Sequence, residues 1–302
     1  MEDVLSDIFR RIELKSCVYF KRDFWSPWAM EISNVNIAQF HVVIRGRCVL
    51  ETAEQSLDGA PGDVFLLPRG GAHVLADRQG RTPVSGMAVM QSFEGDAPLF
   101  ADGDVASQLI CGHYDYRNDI THPLLEQLPA VVHIRSFETM APGMVSSVLP
   151  MLVSELNGGR PGASSVVEKL AEVLLVQVLR LYLAEQKAPD GFLAALTDAR
   201  LMKAIQLIHT DTSGALGLSA LAQAAGMSRS SFAAHFKSVT GLSPHGYLVH
   251  WRMVHACELL RVNRLPLAEV ADRIGYESEI SFSRAFKRTL DVTPAEYRRA
   301  AS

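Results

Sequence analysis

Over roughly the first 135 residues the apolar positions fall in short alternating runs divided by Gly and Pro, and over roughly the last 160 they recur three and four apart. The alternating region predicts strands at Ser16 to Phe20, Ala38 to Ile44, Cys48 to Thr52, Asp63 to Leu67, His73 to Leu75 and Val84 to Met90, spaced as in a small β-barrel or jelly roll. The longer period sets in at Met144. Helices are expected over Met144 to Leu156 and Ser164 to Gln186, and Asn157-Gly-Gly-Arg-Pro-Gly162 between them turns the pair into an antiparallel hairpin. In the second helix Val166, Val167, Leu170, Val173, Leu174 and Leu181 spread apolar surface around much of the circumference, more than one barrel face covers. A second copy of the chain is the expected cover, making residues 144–186 a homodimer interface. Lys187-Ala-Pro-Asp-Gly191 reads as a linker.

Within the helical region the same pattern occurs twice. Leu218-Ser-Ala-Leu-Ala-Gln-Ala-Ala-Gly226-Met-Ser228, running into Phe232 and Phe236-Lys237, is echoed by Leu267-Ala-Glu-Val-Ala-Asp-Arg-Ile-Gly275-Tyr-Glu-Ser278, running into Phe282 and Phe286-Lys287. Each copy predicts a short helix, a Gly that permits a tight left-handed turn, a Ser N-cap and a second amphipathic helix. In that plan the second helix enters a major groove of DNA and the first braces it. With Phe232, Phe236, Ile274, Phe282, Phe286, Trp251 and Cys257 assigned to the core, the outward face of the second unit carries Glu279, Ile280, Ser283, Arg284 and Lys287. Arg284 suits a guanine edge, since its planar fork can bond O6 and N7 together, while Lys287 and Arg288 suit phosphate. The first unit presents Arg229, Ser230, Ala233, Ala234 and Lys237; Arg229 and Lys237 are expected on phosphate, and the alanines offer only apolar contact. His235 lies off that stripe and reads as structural.

Charge sharpens the picture. The 302 residues carry a formal charge of -4, an unpromising balance for a polyanion's partner, yet from Leu196 onward 13 Lys and Arg stand against 9 Asp and Glu. The basic surplus therefore sits with the repeated pattern, and the front of the chain is acidic. Met1-Glu-Asp opens no charged-then-apolar leader, and the longest apolar stretch, Ser165 to Ala184, contains Glu168, Lys169, Glu172 and Arg180, so no membrane span is expected. The 4 cysteines, Cys17, Cys48, Cys111 and Cys257, are scattered without paired spacing, which fits reduced thiols and a cytoplasmic setting.

Residues 198–299 resemble the DNA-binding module of the AraC/XylS family of bacterial transcription regulators, two helix-turn-helix units joined by a long helix, here Ser243 or Pro244 to Leu260. The second copy and the following Thr293-Pro294-Ala-Glu-Tyr297-Arg298 track the family signature, except that Asp291 stands where Gly usually follows the last recognition helix. The resemblance places first-unit base contacts at Ser230, Ala233 and Ala234, and implies double-stranded DNA and RNA polymerase as partners. The front of the chain resembles the cupin sensor domain of one branch of these regulators. Gly62, Pro68, Gly70, His73 and Asp77 keep the spacing of the second cupin motif, Phe40 to Gly46 resembles the end of the first, and Cys111-Gly-His-Tyr and Leu124-Leu-Glu-Gln-Leu-Pro129 resemble the branch markers. The implied architecture is α+β: a cupin-like jelly-roll barrel over 1–140, a dimerising hairpin and linker over 141–190, and an all-α double helix-turn-helix domain over 191–302.

Cupin enzymes bind metal through residues that fall here on Gln39, Ile32 and Asn34, so oxygenase chemistry loses support and the chain reads as a non-enzyme. A different site is expected. His41 shares a strand face with Gln39, His73 keeps a ligand position, and Cys111 and Cys17 could join them as a Cys2His2 set for zinc, or as a thiol pair sensing oxidants. Cys48 and His113 are the alternates. The expected function is a sequence-specific regulator, activator or repressor, whose barrel senses a small effector, metal or oxidant. The alternatives are a cupin metalloenzyme with an appended DNA module and a constitutive activator with an architectural barrel.

Overall fold

The structure is a computed structural model that describes residues 3–94, 99–116, 122–136, 144–185, 191–211, 216–262 and 265–301. The chain divides into two compact units. The first comprises Lys15–Asp115 and Leu128–Lys187, the second Met1–Leu14, Tyr116–Gln127 and Ala188–Ser302.

The first unit is a double-sheet jelly roll with the helical hairpin attached. One sheet has the order β1 (Lys15–Trp25), β9 (Val105–Asp115), β3 (Ala38–Gly46), β6 (Val64–Leu67), β10 (Val132–Ile134). The other runs β5 (Ser56–Gly59), β4 (Cys48–Glu51), β7 (His73–Ala76), β2 (Ala29–Ile32), β8 (Val84–Ser85). Between the two lie Phe24, Trp28, Met30, Val43, Leu50, Phe65, Leu75, Leu109 and Cys111, all buried. The hairpin is α4 (Met144–Gly158) and α5 (Ala163–Glu185). Ser16 and Tyr114, paired across β1 and β9, point out of the barrel onto α5: Ser16 Oγ donates to the Glu168 carbonyl at 2.6 Å and Tyr114 Oη to that of Ala171 at 2.9 Å.

Two expectations are corrected in this unit. The run Val84 to Met90 is a strand only over β8, and Gly86–Ser92 forms a helix, α2. Two residues apart, Met87 is 64% exposed and Val89 fully buried, an opposition that a strand face forbids and a helix produces. The hairpin is also no separate domain, because Val167, Ala171, Leu174, Leu175, Val178 and Leu179 are buried within the barrel unit.

The second unit holds the repeated pattern as expected. α8 (Leu218–Ala224) and α9 (Arg229–Thr240) form the first helix pair, α10 (Pro244–Val262) is the linking helix, and α11 (Leu267–Arg273) and α12 (Glu279–Leu290) form the second pair, followed by α13 (Pro294–Ala301). Gly226 and Gly275 turn at φ 65° and 80°, and the Ser228 and Ser278 hydroxyls accept from the Ser231 and Ser281 amides, each at 3.2 Å. Asp291 ends α12 in the left-handed region at φ 60°, which its short polar side chain tolerates in place of Gly. Phe232, Phe236, Phe282 and Phe286 are fully buried; Ile274 is almost so, and Cys257 packs in the core of the second helix pair.

The domain limits 1–140 and 191–302 need revision. Residues 3–14 and the segment around α3 (Pro123–Glu126) cluster with the DNA-binding helices, not with the barrel. α1 (Val4–Arg11) turns Val4, Asp7 and Ile8 inward, and Arg11 meets Glu258 of α10 at 2.5 Å while its guanidinium lies over the Trp251 ring. α6 (Gly191–Thr197) and α7 (Ala199–Thr210) complete the unit; residues 186–190, most of the expected linker, lie outside the described residues.

Candidate DNA interface and barrel site

On α12 the expected reading face is open. Glu279, Arg284, Lys287 and Arg288 are exposed, Ile280 is exposed to 66% and Ser283 is half-buried, while Phe282, Ala285 and Phe286 form the opposite, buried face. Among the described residues Arg284 and Lys287 are in no ion pair. On α9 Arg229, Ser230, Ala234 and Lys237 are exposed and Ala233 is half-buried. His235 is structural: its Nε2 lies 2.7 Å from Asp198 Oδ2, and Asp198 also caps α7 through the Arg200 and Leu201 amides. Burial would raise the Asp198 carboxyl, but the His235 bond and these backbone donors outweigh it and hold the group well below its ordinary range.

Inside the barrel, β3 and β9 pair so that His41 stands opposite Cys111, and β7 brings His73 across from the other sheet. The three side chains form one chain of contacts. Cys111 Sγ is 3.0 Å from His41 Nδ1, His41 Nε2 is 2.8 Å from His73 Nε2, and His73 Nδ1 is 2.7 Å from the Gly71 carbonyl. A carbonyl can only accept, so His73 Nδ1 carries a proton and its Nε2 is free to accept. That makes His41 Nε2 the donor and leaves His41 Nδ1 to accept from the Cys111 thiol. One proton arrangement therefore satisfies every member with all three groups uncharged. Burial acts in the same direction: it lowers His41 well below the usual imidazole range, aided by His73, and lowers His73 against the opposing Gly71 bond. Burial likewise pushes the Cys111 thiol far up, with Cys48 adding to it.

Cys17 does not join this set. It lies opposite His113, two register positions along the sheet from the Cys111 and His41 pair, and its thiol is exposed. A shift in register between Val18 and Phe20 puts Phe20, not a thiol, across from Cys111. The tetrahedral Cys2His2 arrangement is therefore not assembled, and among the described residues no group of three or more His, Cys, Asp or Glu is arranged to hold a metal ion. The two imidazole nitrogens at 2.8 Å are also closer than the roughly 3.3 Å that zinc bonds of about 2.0 Å impose at a tetrahedral angle. Of the alternates, His113 makes a tilted ring contact with Tyr19 and Cys48 is buried in the core. Asp77, the last residue of the second cupin motif, turns to Arg81 and Ser26 rather than to the cluster.

The two branch markers have structural meanings that their sequence did not disclose. In Cys111-Gly-His-Tyr114, a Cβ on Gly112 would lie 2.3 Å from the Cys17 carbonyl and against the Phe40 ring, so only Gly lets β9 lie between its neighbours. In the second marker Gln127 Nε2 donates to the Thr240 carbonyl at the end of α9 at 3.0 Å, and its Oε1 accepts from the Phe192 amide. Nearby His122 accepts from the Leu124 amide and meets the Tyr247 hydroxyl at 3.1 Å, which in turn meets His209 at 2.6 Å.

Two family patterns cover these regions. Residues 3–184 match the family described as Cupin, and residues 221–300 match the Helix-turn-helix domain. A putative AraC-like transcription regulator of Streptomyces antibioticus is 33% identical over 302 residues, 98% of each chain. The chain belongs to the AraC family of transcription regulators. Within this family it is also similar to the HTH-type transcriptional regulator AlkR of Acinetobacter baylyi, 28% identical over 98% of this chain and 99% of that one. Among solved structures, the DNA-binding domain of AdpA in complex with a target DNA is 31% identical and covers 34% of this chain and 92% of that chain, with a TM-score of 0.32. Its helix-turn-helix domain over residues 221–300 and its membership of the AraC family make it a binder of double-stranded DNA. No helix among the described residues is long and apolar enough to cross a membrane.

Proposed function

We propose that the protein is a sequence-specific regulator, not an enzyme, whose barrel senses a small effector through His41, His73 and Cys111 and resets the paired recognition helices. The observation that carries this reading is the route of the chain. β9 bears Cys111 and is followed in the chain, beyond residues 117–121 that lie outside the described residues, by α3 and by Gln127, which holds the C-terminal end of α9 in the DNA-binding unit. A shift of β9 on effector binding would be passed by covalent connection to the first recognition helix. Small changes there suffice, since a tenfold change in operator affinity is about 1.4 kcal/mol.

A metal or an oxidant is the second reading, favoured by the 3.0 Å contact of the Cys111 thiol with the His41 imidazole. The uncharged state of the cluster weighs against it, because the thiolate is the ligand and the nucleophile. Elemental analysis with thiol titration, before and after mild oxidant, separates the two readings.

The proposal includes a homodimer through residues 144–186, supported by Val166 and Val173, seven apart on α5 and each 42% exposed. A single-chain mass in sedimentation would remove it. RNA polymerase as a further partner and a cytoplasmic setting complete the reading.

His73→Ala and Cys111→Ala test the sensor directly. Both are expected to keep operator affinity within about threefold and to lose the response of promoter output to inducing conditions. Loss of stability with the response intact would mean that the barrel is architectural.

A further inference from the structure

Beside the cluster the barrel holds a half-open cavity of about 180 Å³, lined by Phe20, Met30, Ile32, Met87 and Met90, with Gln39, His41 and Cys111 as its inner polar groups and the exposed Met87 at its mouth. Three features specify what it can hold. Size comes first: an apolar cavity of about 150 Å³ accepts a benzene ring, so this one takes a ring with a few further atoms. Wall chemistry is second, since three methionines offer flexible, polarisable surface suited to aromatic contact. Third, Gln39 is 4% exposed and its Oε1 is a buried side-chain oxygen with no hydrogen-bond partner. A buried acceptor left in that state is destabilising, a deficit that a ligand's donor would remove.

Charge narrows the class further. No Lys or Arg lines the cavity, and its one carboxylate, Glu31, is on an exposed residue. A carboxylate ligand reaching the buried inner end would do so without a counter-charge, which is costly among apolar walls. His41 is committed on both ring nitrogens to Cys111 and His73, so among the buried polar groups of the wall Gln39 is the one with an atom open to a ligand, while Tyr19, Ser33 and Ser85 add hydroxyls farther out.

We infer that this cavity is the effector site and that it takes an uncharged amphipathic molecule about the size of a substituted benzene, its apolar body against the methionines and its one hydrogen-bonding head on the Gln39 amide. The inference rests on the reading of the barrel as a sensor and adds the class of ligand. Bound there, the head group would sit beside the Cys111 and His41 contact, on β3 where it pairs with β9.

The test uses the full chain and three probes with one body and different heads: 4-ethylphenol, 4-ethylbenzoate and ethylbenzene. Calorimetry at pH 7 is expected to give saturable, one-to-one binding of 4-ethylphenol, at least tenfold tighter than 4-ethylbenzoate. Gln39→Leu should weaken 4-ethylphenol about tenfold and leave ethylbenzene unchanged, which also shows that the variant is folded. Met90→Trp, which fills the cavity, should abolish all three. Equal or tighter binding of 4-ethylbenzoate, no binding of any probe, or 4-ethylphenol binding that survives Met90→Trp would overturn the assignment. Gel retardation on the same samples separates this from the wider reading. A preparation that retards duplex DNA but binds no probe sinks the ligand class alone, and one that binds 4-ethylphenol but retards no duplex sinks the regulator reading alone.

Discussion

Arg284 is exposed on the side of α12 opposite Phe282 and Phe286, with no ionic partner among the described residues, so its guanidinium is available to a base edge. Arg284→Ala is expected to cost about 1–3 kcal/mol at one position of the operator and little at the others, measured on a series of single-base substitutions. A uniform loss across that series would mean that Arg284 meets phosphate. At this scale much is legible in the sequence. The spacing of Phe282 and Phe286 determines which side chains can face outward, and Ser278 and Asp291 mark start and stop because their chemistry suits those backbone positions. Cys17 is not legible. Alternation along a strand shows the face of a residue but not its rung, and the irregularity between Val18 and Phe20 leaves Cys17 beside His113. Gln39 signals in sequence only the absence of a metal ligand; its unpartnered amide oxygen needs coordinates to be seen.

Among the elements, the helix pairs are the most readable, because cap, apolar period and turn Gly agree in both copies. Their stability is local and testable. Ser278 supplies the acceptor that closes the first turn of α12, and Ser278→Ala is expected to cost about 1 kcal/mol, read as faster hydrogen exchange at Ser281 and Phe282 with exchange in the barrel unchanged. Unchanged exchange there would show that packing of Phe282 and Phe286 alone fixes the helix start. α2 misleads because Val84 to Met90 is a short apolar run, for which periodicity does not separate strand from helix. α1 and α3 escape assignment to the DNA-binding unit for another reason. Each is a brief amphipathic piece whose partners, such as Glu258 for Arg11 and Thr240 for Gln127, are more than a hundred residues away in sequence.

The whole molecule carries an unusual load of buried, uncharged imidazole. His41 and His122 lie well below the usual range through burial and neighbouring histidines, and burial alone takes His250 to about 4. An unfolded chain binds protons on these rings below about pH 6.5, whereas the folded chain resists until lower pH. Their contribution is therefore fully present above pH 6.5 and is lost as pH falls toward 4; for His250 alone that is roughly 3 kcal/mol. Denaturant midpoints should be equal at pH 8 and 7 and clearly lower at pH 5, and a midpoint unchanged at pH 5 would place these rings in contact with water.

The division of labour, an acidic barrel unit governing two groove-inserting helices, is a claim about the assembled chain on DNA. Its most direct measurement is a hydroxyl-radical and methylation footprint of the full-length protein on a duplex selected from a random pool. Two protected major-groove segments per subunit are expected, about 34 Å apart, with the segment read by α12 lost in Arg284→Ala. A single protected segment per subunit, or two that Arg284→Ala leaves intact, would contradict the account.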